Sequence, residues 1–136
     1  MSELPSKVFY EKVENHSLLI IEDLWFEACK NEEVVNAFKV YSGKKNLSIF
    51  ITSQHPFEGK YSKTIRNNLN YYLLFKNISN TNINKTLTKQ LDLYGPYKEA
   101  IKKLDKYEFI FINLDLSHEN CEKLMCNLFS KPLLIK

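Results

Sequence analysis

A chain of 136 residues that is 44% hydrophobic, 13% aromatic and 26% charged has the length and apolar content of one globular domain, and disorder, which needs few apolar residues and a large net charge, is excluded. Its 19 basic and 16 acidic side chains leave a net charge of only +3. Apolar runs fall far short of the roughly 20 residues that cross a bilayer, no signal-peptide pattern opens the chain, and an odd cysteine count of three in a chain this size implies reduced thiols, so the expectation is a soluble, intracellular protein with no membrane partner.

Residues 1–16, with Pro5 and mixed charge, predict an N-terminal arm, and residues 17–136 a single α/β domain. The run from Ser17 to Ile21 predicts a strand buried on both faces, ending in Glu22 and Asp23. Ala28, Val34, Val35, Phe38 and Tyr41 recur at helical spacing and predict a helix over 27–41 with Gly43 as its C-cap, followed by a turn at Lys44–Asn46. Leu47–Thr52 predicts a second buried strand, ending in Ser53 and Gln54. From His55 to Asn68 a Pro/Gly loop holds a short helix near 62–67, and Tyr71–Phe75 predicts a third strand. Thr81 caps a helix carrying Ile83, Leu87 and Leu91, Tyr94-Gly95-Pro96 breaks it, and Tyr97, Ile101 and Leu104 mark the next. Phe109–Leu114 is the fourth predicted strand, with a short helix near 119–129 and a tail over 132–136. Apolar strands alternating with amphipathic helices predict a mainly parallel sheet of about four strands covered by helices.

In such sheets functional groups collect beyond the carboxyl ends of the strands. Glu22, Asp23 and Gln54 stand there. An apolar strand followed by two acidic residues is the Walker B arrangement of nucleotide hydrolases, one carboxylate ordering Mg²⁺ and the next polarising water; equally, acidic residues can simply end a strand and cap a helix. Charge is uneven as well: residues 60–106 hold ten basic and three acidic side chains, against six and nine over 1–59. That segment can face the phosphates of double-stranded DNA, with Lys60, Lys63 and Arg66 as candidate contacts, or be a plain solvated surface.

The strings Leu18-Leu19-Ile20-Ile21-Glu22-Asp23-Leu24-Trp25, Asn46 through Gln54, Phe57 through Ile65, Asn68 and Tyr71 through Asn77 together resemble the packaging ATPases of the FtsK–HerA superfamily, in the versions carried by Polinton-type elements and related double-stranded DNA viruses. The likeness spans about residues 4–129. It implies a partial P-loop-NTPase-like domain in which Glu22 orders Mg²⁺, Asp23 polarises the attacking water and Gln54 is the polar sensor on the neighbouring strand. It further implies genome packaging, oligomeric partners, and a place in the cytoplasm or nucleus of a host cell, with viral descent as one origin. This chain departs from the pattern in having Glu at position 22, in offering both Ser53 and Gln54 for the sensor, and in placing Lys63 where an arginine is usual.

A P-loop requires Gly-x-x-x-x-Gly-Lys-Ser/Thr, and Gly43, Gly59 and Gly95 cannot make one. Only seventeen residues precede Leu18, so the chain is expected to be the C-terminal half of such an ATPase, beginning at its own methionine. ATP and Mg²⁺ then bind only if a P-loop is supplied in trans by an N-terminal half or a homologous subunit. The alternative is a catalytically inactive module that joins or regulates a complete homologue. The missing P-loop strand would leave Leu47–Thr52 and Tyr71–Phe75 as open edges that favour self-association or a partner. Asp23 with Glu58-Gly59-Lys60 also fits a metal nuclease spacing, but in a loop. His118, Cys121 and Cys126 are three zinc-type donors where a structural site takes four. Cys29 has no visible base, and Trp25 reads as packing.

Overall fold

Apolar runs produce strands where they are predicted, yet the strands divide between two sheets of opposite kind. The computed structural model describes residues 3–76, 81–105, 108–115, 124–126 and 132–133. The chain separates into two units, Met1–Leu69 and Asn70–Lys136.

In the first unit, β1 (Leu18–Ile21) and β2 (Ser48–Ile51) pair in parallel, in register from Leu18↔Ser48 to Ile21↔Ile51. A parallel pair demands a crossover, made here by α2 (Trp25–Ala28), α3 (Glu32–Asn36), a wide π-helical turn (Ala37–Tyr41) and α4 (Ser42–Lys44). The predicted 27–41 helix is therefore longer and interrupted. It restarts at Asn31, whose side-chain oxygen accepts from the amides of Glu33 (2.9 Å) and Val34 (3.3 Å). Its stop also differs. Gly43 lies inside α4, and the left-handed residue after the last turn is Asn46 at φ +48°, because asparagine tolerates that conformation nearly as glycine does. Asn31→Ala removes an N-cap and is expected to lower stability by about 1 kcal/mol, read as a fall in the thermal midpoint.

The inner face of this sheet carries Leu19, Ile21, Ile49 and Ile51 onto Trp25, Ala28, Val34, Val35, Phe38 and Ile65. On the outer face Leu18, Ile20 and Phe50 are 64%, 60% and 45% exposed. Both strands were expected to be buried on both faces, and this corrects it: an apolar run fixes a strand but does not supply its cover. The expected arm contains α1 (Lys7–Lys12), whose Tyr10 is fully buried with Ala37 and Leu47 and stacks on Tyr41 at 5.4 Å between centroids. The loop from 52 to 61 is tied to the crossover: Trp25 Nε1 donates to the Glu58 carbonyl (3.0 Å) and the Tyr61 amide to that of Cys29 (2.8 Å). The short helix α5 (Ser62–Asn67) follows as predicted.

The second unit holds β3 (Tyr71–Phe75), β4 (Phe109–Asn113), β5 (Leu124–Cys126) and β6 (Pro132–Leu133), in that order and antiparallel throughout. The protein is thus mixed α/β. The mainly parallel sheet of about four strands is corrected to a two-stranded parallel sheet and a four-stranded antiparallel one. The physical reason lies between β3 and β4, where two helices, α6 (Thr81–Gln90) and α7 (Tyr94–Ile101), stand in series. One helix returns a chain to the end where its strand began, and a second carries it back again, so the next strand runs the opposite way. Ile110 and Ile112 of β4 are fully buried while Phe109, Phe111 and Asn113 are half-buried, the period-two pattern of a strand with one covered face.

The α6–α7 break falls at Asp92, left-handed at φ +57°, and not at Tyr94-Gly95-Pro96. Pro96 sits in the first turn of α7, where its missing N–H costs no helical bond. Leu124–Cys126 is a strand where the 119–129 helix was expected, and the rest of that stretch lies outside the described residues. Pro132–Leu133 pairs with β5 in place of the expected tail. Among the described residues β2 has β1 as its sheet partner. Among them, too, no helix is long and apolar enough to cross a membrane.

Candidate functional site

The parallel register of β1 and β2 brings their carboxyl ends side by side. The ladder continues one residue past β2, the Thr52 amide donating to the carbonyl of Ile21, the last residue of β1, at 3.1 Å. Next to it the Asp23 amide donates to Thr52 Oγ1 at 3.3 Å. Glu22-Asp23 and Thr52-Ser53-Gln54 therefore leave the sheet as neighbours. Asp23 is left-handed, φ +56°, a conformation aspartate visits more readily than most residues. That turn ends β1 abruptly and leaves Glu22 and Asp23 exposed.

Of the two residues open to the sensor role, Ser53 already accepts the His55 amide on its Oγ at 3.0 Å, which closes a local turn. Gln54 is exposed beside it. Thr52 was not singled out from the sequence. The signal was there: a β-branched hydroxyl at the last position of an apolar strand, one residue before the polar pair.

The neighbouring side chains are structural. Trp25 is buried, with its indole N–H satisfied by the Glu58 carbonyl. Glu58 and Lys60 lie on the loop between β2 and α5 and not on a strand, so the nuclease arrangement, which sets both residues on a strand, is not formed. Glu58 Oε1 lies 3.9 Å from His55 Nδ1, both exposed. Cys29 is fully buried, its thiol pushed up to about 11 by burial while the Arg66 guanidinium pulls the other way; at neutral pH it is a protonated core thiol and no nucleophile.

The predicted DNA contacts share one segment of the first unit. Lys60 sits over the Tyr61 ring at 4.8 Å and its ammonium is held above the usual lysine range by its hydrogen bond with Tyr61. Lys63 is exposed on α5. Arg66 is half-buried with its guanidinium over the Phe57 ring at 4.4 Å, which commits it in part to packing.

Among the described residues no three or more His, Cys, Asp or Glu side chains are grouped to hold a metal ion. His118 and Cys121 lie outside the described residues, as does the side chain of Cys126. An exposed carboxylate pair does suit one ion: Mg²⁺ is commonly held by one or two carboxylates together with substrate phosphates and water. Glu22 and Asp23 are exposed carboxylates of that kind.

No protein-family model matches this chain, and no curated protein or solved structure matches it either.

Proposed function

We propose that this chain is the Walker B and sensor half of a DNA-packaging motor ATPase, working on Mg²⁺-ATP only when a P-loop is contributed by another segment or subunit. The observation that carries the reading is the pairing of β1 and β2 in parallel register, with Glu22-Asp23 and Gln54 at adjacent carboxyl ends and the Asp23 amide bound to Thr52. In that role Glu22 holds the metal that accompanies the nucleotide, Asp23 accepts a hydrogen bond from the attacking water, and Gln54 meets the terminal phosphate. Lys60, Lys63 and Arg66 contact double-stranded DNA. What the chain lacks is the cradle of backbone amides and the lysine around the β and γ phosphates, on which phosphoryl transfer depends.

A second reading is favoured by one observation, the apolar outer face of the parallel sheet at Leu18, Ile20 and Phe50. Parallel sheets are ordinarily covered on both faces. An inactive ATPase-like module that joins a homologous subunit, or a second copy of itself, would cover this one.

The two readings share a test. Purified chain with Mg²⁺-ATP is expected to give no turnover above background, and Glu22→Gln and Asp23→Asn are expected to leave that background unchanged. Turnover that disappears with either substitution would sink the assignment of a missing P-loop.

A further inference from the structure

Helices α6 and α7 set three ammonium groups around one aromatic ring. Lys89 Nζ lies 5.1 Å from the centroid of Tyr94, Lys98 Nζ 5.7 Å and Lys85 Nζ 5.8 Å. Lys85 and Lys89 are one helical turn apart on α6, and Lys98 is one turn beyond Tyr94 on α7, so each pair lies on one side of its helix. The ring at the centre is anchored. Tyr94 stacks on Tyr97 at 6.4 Å, Tyr97 is nearly fully buried, and Asn84 of α6 is buried as well. Asn84 in turn donates to the Phe75 carbonyl at the end of β3 at 3.2 Å.

Three like charges held this close repel one another, and carboxylates among them would relieve that. Glu99, next to Lys98 in sequence, instead pairs with Lys102 at 3.3 Å, and Asp92 in the turn between the helices is in no ion pair with them. Among the described residues Lys7 pairs with Glu11 and Lys102 with Glu99, and no carboxylate pairs with Lys85, Lys89 or Lys98. The imbalance extends to the sequence: residues 70–136 hold ten basic and seven acidic side chains, whereas 1–69 hold nine of each.

We propose that this face of the second unit binds the phosphate backbone of nucleic acid without sequence preference. A duplex carries one negative charge per about 1.7 Å of axis, dense enough to answer all three ammonium groups at once, as an isolated acidic side chain cannot. Lysines meet phosphates as point charges and lack the planar fork with which arginine reads a base edge, so the contacts position a backbone and do not select bases. A membrane surface is the weaker fit. Interfacial helices bring an apolar face beside their lysines, and the exposed large apolar side chains among the described residues are all on other elements than α6 and α7. The proposal shares its partner, a DNA duplex, with the proposed function but uses none of the residues named there, so the triple variant below tests it apart from Lys60, Lys63 and Arg66 and from the nucleotide site.

The test is fluorescence anisotropy of the full chain with a labelled random-sequence DNA duplex over a salt series. The wild-type chain binds, and Lys85→Gln/Lys89→Gln/Lys98→Gln is expected to flatten the slope of log affinity against log salt by about 2.7, each lost phosphate contact contributing about 0.9. Affinity at 0.1 M salt falls at least about tenfold. Lys89→Gln alone, a single exposed change, is expected to flatten the slope by about 0.9. Wild-type affinity and slope in the triple variant would overturn the proposal. So would wild-type chain that binds vesicles of anionic phospholipid and not the duplex.

Discussion

Gly59→Ala is expected to destabilise the fold by roughly 2–6 kcal/mol, combining overpacking with backbone strain. Gly59 is left-handed at φ +108°, and a Cβ built there would stand 2.4 Å from Cys29 Cβ and 3.4 Å from its Sγ. Neither partner can yield easily. Cys29 is fully buried, its carbonyl accepts the Tyr61 amide, and the Gly59 carbonyl accepts the Ser62 amide at 3.2 Å. The other two glycines are the control. A Cβ at Gly43 or Gly95 meets nothing within 4 Å and both lie in helices, so Gly43→Ala and Gly95→Ala should raise stability by up to about 1 kcal/mol. Denaturant midpoints for the three variants separate the cases, and equal effects would mean that the Cys29–Gly59 approach is not tight.

Tyr10→Ala should cost about 3–5 kcal/mol, the range for removing a buried aromatic ring. It tests whether the first residues are an arm or part of the fold, since a loose arm would tolerate the change at under about 0.5 kcal/mol. Tyr10→Phe should act in the opposite direction. The hydroxyl is buried and finds no hydrogen-bond partner among the described residues, so deleting it is expected to gain about 1 kcal/mol. Burial, with Glu33 adding to it, pushes this phenol from about 10 up to about 12. The folded chain keeps the proton while the unfolded chain releases it, so the wild type should lose stability as pH climbs from 10 to 12. Tyr10→Phe should lack that loss.

Much of this arrangement was legible because short apolar runs bounded by polar residues specify strands almost by themselves. Leu18–Ile21, Ser48–Ile51, Tyr71–Phe75 and Phe109–Asn113 all fall inside predicted runs. The same runs say nothing about direction or cover. Ile20 and Ile110 look alike in sequence, yet one is 60% exposed and the other fully buried. The antiparallel course of β4 was missed by the expectation of a mainly parallel sheet, although the two helices Thr81–Gln90 and Tyr94–Ile101 that follow β3 were both predicted. Left-handed stops were misplaced onto glycine and proline because Asn46 and Asp92 carry the conformation without advertising it. At the site, Glu22, Asp23 and Gln54 could be placed at strand ends because β1 and β2 were placed. The Thr52 hydroxyl and the left-handed turn at Asp23 belong to tertiary geometry. So does the gathering of Lys85, Lys89 and Lys98 around Tyr94, which needs both helices.

In the proposed function Glu22 and Asp23 form a catalytic pair that waits for a phosphate cradle. That role is tested most directly by supplying one: a strand–P-loop–helix segment of a packaging ATPase fused ahead of Met1, with Mg²⁺-ATP turnover measured for the fusion and for its Glu22→Gln and Asp23→Asn versions. The fusion should turn over, and its rate should fall at least about 100-fold with either substitution, the scale expected when a group stabilising the transition state is removed. Turnover that persists unchanged in both variants would contradict that role, and would mean that the two carboxylates do no more than end a strand.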